Sequence, residues 1–424
     1  MAGTTKVSLL GFLGFQEESS FAANVTTYDK VLQVRDAVLD LSGVQQQMIA
    51  RGGVFGRPNQ GDFGIPGPFD SVQLTFTMDL YGHGSTTVGS LSQTPLGKIF
   101  AQAAGNSVWT SVGDSSLLTA GSDADTVAGA DAATVTDGHI MRFGALGDGR
   151  AEGQAGVVSS EAGGVIELLT ALPGTVNDGD DLGAMGMIYP EDANAHLTSD
   201  GSTSNNTVRF VVATGNQQYV LTGCACTGMA FNGLNTAEVP SVQFTFSAAF
   251  WADISVTFPS GGAAADFAPA PNAAGSFFIQ DVGTTTRVTD KVRNVSFAID
   301  HQMLPTMGTE GANANQVITG WVRGKSMPTL TFDVEAQAST TSPTWSSYWN
   351  TDPNSQVYKH CLYTLNPTDG RSVAFYLPRM RPVGPRPTQQ DLNGLAYVNV
   401  QFEGVEGPTV TSTVTRSPWR IGLG

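Results

Sequence analysis

Charge is scarce in this chain. Lys, Arg, Asp and Glu make up 14% of its 424 residues, well below the quarter usual in a globular protein. Basic residues are the scarcest of all, 21 against 37 acidic ones, for a formal net charge of −16. A basic grip on nucleic acid is thereby excluded, because holding phosphates takes clustered Lys and Arg. Proximity to DNA is not excluded, since an acidic wall repels phosphate and lets a duplex slide past. Acidity that serves only solubility is the plainer reading.

Cysteine is almost absent. Cys224, Cys226 and Cys361 make neither a disulfide framework nor a metal site. Two of them, spaced i, i+2, fall on one face of a strand as small apolar residues; a redox role is the rarer alternative. Long apolar runs are missing too, none reaching the ~18 residues that span a bilayer. The stretch Ser8–Phe15 superficially resembles a signal h-region. Only Lys6 precedes it, however, and Gln16-Glu17-Glu18 stands where a small-residue cleavage site belongs. The expectation is a soluble chain, made and kept in the cytoplasm until assembly, with no membrane partner.

Catalytic and metal motifs are lacking as well. His83, His139, His196, His301 and His360 are scattered without metal-ligand spacing. There is no Gly-x-Ser-x-Gly, no Walker-type loop and no dinucleotide fingerprint. Asp178-Gly179-Asp180-Asp181 lacks the downstream spacing of a calcium loop. Neither an enzyme nor a cofactor is expected.

What is present is a β-forming composition, 41% hydrophobic and rich in Gly and Thr, with an approximate internal duplication. Tyr28-Asp29-Lys30-Val31 and Val34–Leu41 are echoed by Thr289–Asp300. Each passage leads through a Gly-rich loop to a strand of alternating polarity, Val72–Leu80 in one and Thr329–Ala336 in the other. A helix follows in each half. The first has Thr94 as N-cap, Pro95 in its first turn, Leu96, Ile99, Phe100 and Ala103 on one face, and Gly105 to stop it. The second lies around Trp345, Tyr348 and Trp349, with weaker caps. Each half ends in further strands, Tyr219–Cys224, Phe231–Leu234 and Ser241–Phe246 in the first, Val373–Leu377 and Asn393–Phe402 in the second.

Residues 106–208 interrupt the first half with fifteen acidic residues against Arg142 and Arg150. They read as a loop-rich insertion or small β-subdomain on the outer surface, where loops tolerate insertion. Arg371, Arg379, Arg381 and Arg386 form a modest basic cluster in a Pro-rich segment. It either meets acid groups of a neighbouring subunit or is a solvated loop.

With these elements laid out, the chain resembles the major tail tube proteins of long-tailed, siphovirus-like bacteriophages. The likeness rests on Gly14-Phe15-Gln16-Glu17-Glu18-Ser19-Ser20-Phe21, on the alternating strand and the Leu96–Gly105 helix, and on the closing strands Tyr219–Cys224 and Pro240–Phe246. It covers most of the chain outside 106–208. It implies a mainly β fold of two tandem tube-type β-sandwich or barrel domains, each with a short helix, plus the β insertion. The expected division is an N-terminal arm 1–27, a first tube domain 28–255, a linker 256–288, a second tube domain 289–408 and a C-terminal arm 409–424. The implied function is a structural virion protein of the tail, whose stacked rings pass double-stranded DNA without binding it. Its partners would be its own copies, in rings of three, and other tail proteins at the tube ends. Phe15 and Glu17 in the N-terminal arm, Arg379 and Arg381 in the basic cluster, and Trp419 and Ile421 as apolar anchors in the C-terminal arm are the expected assembly residues. Rival readings are a distal-tail or capsid-decoration protein and a carbohydrate-binding β-protein.

Overall fold

The computed structural model describes residues 11–18, 21–22, 28, 30–41, 46–50, 62–66, 72–82, 94–105, 108–109, 116–117, 125–128, 135–143, 155–172, 181–184, 187–191, 197–198, 207–214, 217–234, 238–253, 277–282, 292–307, 318–335, 358–365, 372–384, 390–392, 395–406 and 413–424. The helix expected around Trp345, Tyr348 and Trp349 lies outside them, as do His83, His196, Arg371 and Arg386.

The first half opens with β1 (Gly11–Glu17), β2 (Lys30–Val31), β3 (Asp36–Asp40), β4 (Gln46–Ala50), β5 (Asp62–Pro66) and β6 (Val72–Asp79). In β6 the alternating sequence buries Val72, Leu74, Phe76 and Met78 and turns the residues between them outward. Helix α1 (Pro95–Ala104) begins and ends where its caps dictate. The Thr94 side chain accepts a hydrogen bond from the Gly97 amide at 3.1 Å, and Gly105 closes the helix in the left-handed region at φ 78°.

The insertion contains β7 (Val108–Trp109), β8 (Ser116–Leu117), β9 (Thr126–Ala128), β10 (Ile140–Phe143), β11 (Ala155–Ala162), β12 (Val165–Leu168), β13 (Asp181–Ala184), β14 (Met187–Pro190) and β15 (Leu197–Thr198). Six of these make a sheet of their own, in the order β8-β13-β10-β11-β12-β9.

The first half closes with β16 (Val208–Thr214), β17 (Gln217–Leu234), β18 (Ser241–Ala248) and β19 (Phe250–Asp253). The second half runs through β20 (Phe277–Asp281), β21 (Val292–Met307), β22 (Ile318–Glu335), β23 (Lys359–Leu365), β24 (Val373–Pro382), β25 (Gln390–Leu392), β26 (Leu395–Gly404), α2 (Thr413–Arg416) and β27 (Arg420–Leu423). The protein is mainly β.

The same strand order occurs twice. Pairings run β3-β6-β18-β17 in the first half and β21-β22-β26-β24 in the second. A second layer runs β1-β16-β17-β19 and β20-β23-β24-β27. The long strands β17 and β24 each cross from one layer to the other. Register repeats as well as order. Leu39 faces Leu74 as Phe297 faces Leu330; Phe76 faces Phe244 as Phe332 faces Val400. Cys226 faces Phe246 as Pro382 faces Phe402. Because a slip of one residue would turn every core side chain outward, a repeated register means a repeated core face.

The two halves share one core. Phe231 of β17 lies 5.3 Å from Phe297 and 4.7 Å from Phe375, ring centre to ring centre. Within the first half, Phe76 meets Phe210 across the two layers at 5.5 Å. Pairing of β17 with β21 joins the two four-stranded sets edge to edge.

Three segments expected as arms or a linker contain strands. Residues 11–17, placed in an N-terminal arm, form β1 against β16 because Leu13 and Phe15 alternate into the core. Residues 277–281, placed in a linker, form β20 beside β23, with Phe277, Phe278 and Ile279 buried. Residues 420–423, placed in a C-terminal arm, form β27, flanked on both sides by β14 and β24. A strand buried on both faces, as in the run Phe277-Phe278-Ile279, reads as a continuous apolar stretch that the alternation rule passes over. The insertion also docks away from its own half. Its Ile140, Ala155 and Val157 pack on the back of the second half at Phe278, Leu362, Ala374 and Tyr376.

Candidate assembly interface

The outward side of the eight strands from β3 to β24 is set by the same alternation that builds the core. It carries Gln73, Thr75 and Thr77 on β6, Gln243 and Thr245 on β18, Ser296 and Ala298 on β21, Thr329 and Thr331 on β22, and Asn399 and Gln401 on β26, all exposed or half-buried. Hydroxyls, amides and small groups dominate this face. Its charges largely sit in local pairs: Arg35 bonds Asp79, and Glu403 accepts from Lys325 at 3.0 Å and Arg381 at 3.1 Å. These two cations hold the Glu403 carboxyl below the usual range, with the Lys325 hydrogen bond the larger influence. Asp333 accepts from Asn294 and Asn399, each at 2.7 Å. Such a face hydrogen-bonds water and offers phosphate no row of free cations.

Both ends of this eight-stranded run are strand edges. Among the described residues β3 pairs only with β6, and β25, which continues the line of β24 along β26, pairs only with β26. Val38 in the middle of β3 is 62% exposed, although an apolar edge strand invites pairing with another chain.

Behind the sheet, a buried polar node ties three parts of the chain together. Arg323 on β22 donates to the carbonyls of Ala104 and Ala103 at 3.1 and 2.9 Å, satisfying the C-terminal end of α1. The same guanidinium lies 3.5 Å from Glu191, which follows β14, and His301 on β21 lies 3.4 Å from that carboxylate. Burial pushes the Glu191 carboxyl up, but His301 and Arg323 outweigh it and hold it below its ordinary value. Burial lowers the His301 imidazole, against the opposing pull of Glu191. All three side chains are enclosed, at 2% exposure or less, so the node holds elements together and meets no solvent-borne substrate.

A second buried acid, Glu18, sits just past β1. Its carboxylate accepts from the Gly223 amide at 2.9 Å and from the Ala22 amide at 3.0 Å. Desolvation raises its pKa to about 7 despite those bonds. The Gly223 carbonyl in turn accepts from the Trp321 indole at 2.8 Å, so β17 is pinned on both sides where it changes layer. No motif in the sequence marks Glu191, Arg323 or Glu18 for these roles. Their only signal is a charged residue within or just beyond an apolar strand.

The expected assembly residues fall in different places. Trp419 and Ile421 are fully buried; they lie in the core and not at the surface, because Trp419, just before β27, alternates into the shared core with Ile421 and Leu423. Phe15 is likewise buried, 5.8 Å from Phe210. Glu17 is partly exposed and accepts from Lys98 and Gln102, each at 3.2 Å, fastening β1 to α1. Arg379 stacks on Tyr358 at 3.6 Å, while Arg381 pairs with Glu403. The two described members of the basic cluster therefore engage groups of their own chain. Cys224, Cys226 and Cys361 are free and buried. Among the described residues no group of His, Cys, Asp and Glu could hold a metal ion, and no helix is long and apolar enough to cross a membrane.

No family model matches the chain, and no curated protein matches it. Among solved structures, it is similar to a chain of the cryo-EM structure of the anti-feeding prophage (AFP) baseplate, 6-fold symmetrised, with 13% identity and a TM-score of 0.25 over 32% of this chain and 91% of that one.

Proposed function

We propose that this protein is a tail tube protein of a long-tailed bacteriophage, a structural component of the virion without enzymatic activity. The observation that carries the reading is the twofold repeat of strand order and register, with its halves already joined edge to edge through β17 and β21. A sheet that extends itself once in this way can extend itself again between copies, and a closed ring leaves no open edge. Two repeats per chain make three copies a pseudo-sixfold ring. Rings stacked head to tail give a filament. The outward face, rich in Thr, Gln, Asn and Ser, suits the lumen: it hydrates well and gives passing DNA no phosphate clamp. The chain would be made in the host cytoplasm and reside in the tail, meeting other tail proteins at the tube ends.

Negative-stain electron microscopy of the concentrated recombinant protein tests this. Hollow filaments or stacked rings with threefold or pseudo-sixfold averages are the expected result. Isolated monomers at every concentration and salt would overturn it.

A further inference from the structure

The internal join specifies the seam between copies, and we infer that β3 of one copy pairs antiparallel with β25 of the next, Ala37 standing opposite Leu392. This rests on the ring reading and adds to it the strands and the register. Inside the chain, β17 meets β21 with Leu234 opposite Val295 and Phe231 opposite Phe297. The repeat assigns a counterpart to each of these strands. Since Leu39 faces Leu74 where Phe297 faces Leu330, β3 is the counterpart of β21, and Ala37 occupies the position of Val295.

The other side of the join follows in the same way. Phe244 opposite Phe76 corresponds to Val400 opposite Phe332, so Ser241 corresponds to Tyr397. Asn232 pairs with Ser241, and Gln390 pairs with Tyr397. Gln390 therefore stands where Asn232 stands, and Leu392 where Leu234 stands. The two strands that have partners in the middle of the chain have counterparts, β3 and β25, that each pair with a single described strand. Ala37 and Val38 are exposed, which suits apolar side chains awaiting a neighbour.

A chain carrying both Ala37→Cys and Leu392→Cys tests the register. Directly opposed residues of an antiparallel pair bring their Cβ atoms to within ~4.5–5.5 Å, near disulfide reach, and the three native cysteines are buried. Oxidation of assembled rings should give a covalent ladder ending at the closed ring on non-reducing gels. Each single variant, and the shifted pair Val38→Cys with Leu392→Cys, should stay largely monomeric. In the unmodified protein, amide exchange over residues 36–40 should slow about tenfold or more on assembly. Rings that form while residues 36–40 exchange as fast as in the monomer, with no covalent ladder, would overturn the seam and leave the tube reading standing. Failure of the unmodified protein to form rings at all would remove both.

Discussion

Arg323 donates to the carbonyl of Ala103 at 2.9 Å, so a strand of the second half closes the end of the helix of the first. The guanidinium also stands beside Glu191, which brings the insertion into the same contact. One cation thus joins three segments distant in sequence.

Replacement of Arg323 by Met should cost about 3–5 kcal/mol, because it strands a buried carboxylate and two helix-end carbonyls. Adding Glu191→Gln to that variant should restore about 1–2 kcal/mol by removing the unpaired charge. Denaturant unfolding of the three proteins checks this; equal losses in the single and double variants would show that the node is not coupled.

Glu18 makes stability depend on pH. Its folded pKa of about 7 lies above the ordinary 4.5, so the folded protein binds more protons between those values. The contribution is fully present below about pH 4.5 and is lost as pH rises through about 7, a swing on the order of 3 kcal/mol. Glu18→Gln should flatten this part of the profile, read as unfolding midpoints from pH 4 to 8. An unchanged slope would place the titration elsewhere.

Trp419→Ala should destabilise the isolated subunit by about 3–5 kcal/mol, since the indole is fully buried and donates to Ser326 at 3.2 Å. Thermal unfolding of the unassembled protein measures it. A variant that folds normally but fails to assemble would instead return Trp419 to the surface role.

Two left-handed glycines should respond differently to Ala. At Gly223, φ is +62° and a new Cβ would stand 2.9 Å from the Ala249 side chain. Strain and overpacking together should cost about 2–5 kcal/mol. At Gly163, with φ +64° and open space around it, only the backbone term of about 1–2 kcal/mol remains. Paired denaturation curves compare them.

The sequence by itself determined the elements whose information is local. Helix α1 could be read to its caps, because Thr94, Pro95 and Gly105 act on backbone groups within a turn of themselves. The alternating strands β6 and β22 could be read because one of their faces meets a core and the other does not. The duplication was read from the echo of Tyr28–Val31 and Val34–Leu41 in Thr289–Asp300. Only the tertiary structure decided that β1, β20 and β27 are core strands, since runs such as Phe277-Phe278-Ile279 or Trp419–Leu423 are covered on both faces by segments far away in sequence. The same holds for the site. That Arg323, Glu191 and His301 converge, that the insertion leans on the opposite half, and that β3 and β25 each pair with a single described strand are consequences of long-range pairing. No spacing along the chain encodes them, because each depends on which distant surface a strand finds once the apolar faces have closed.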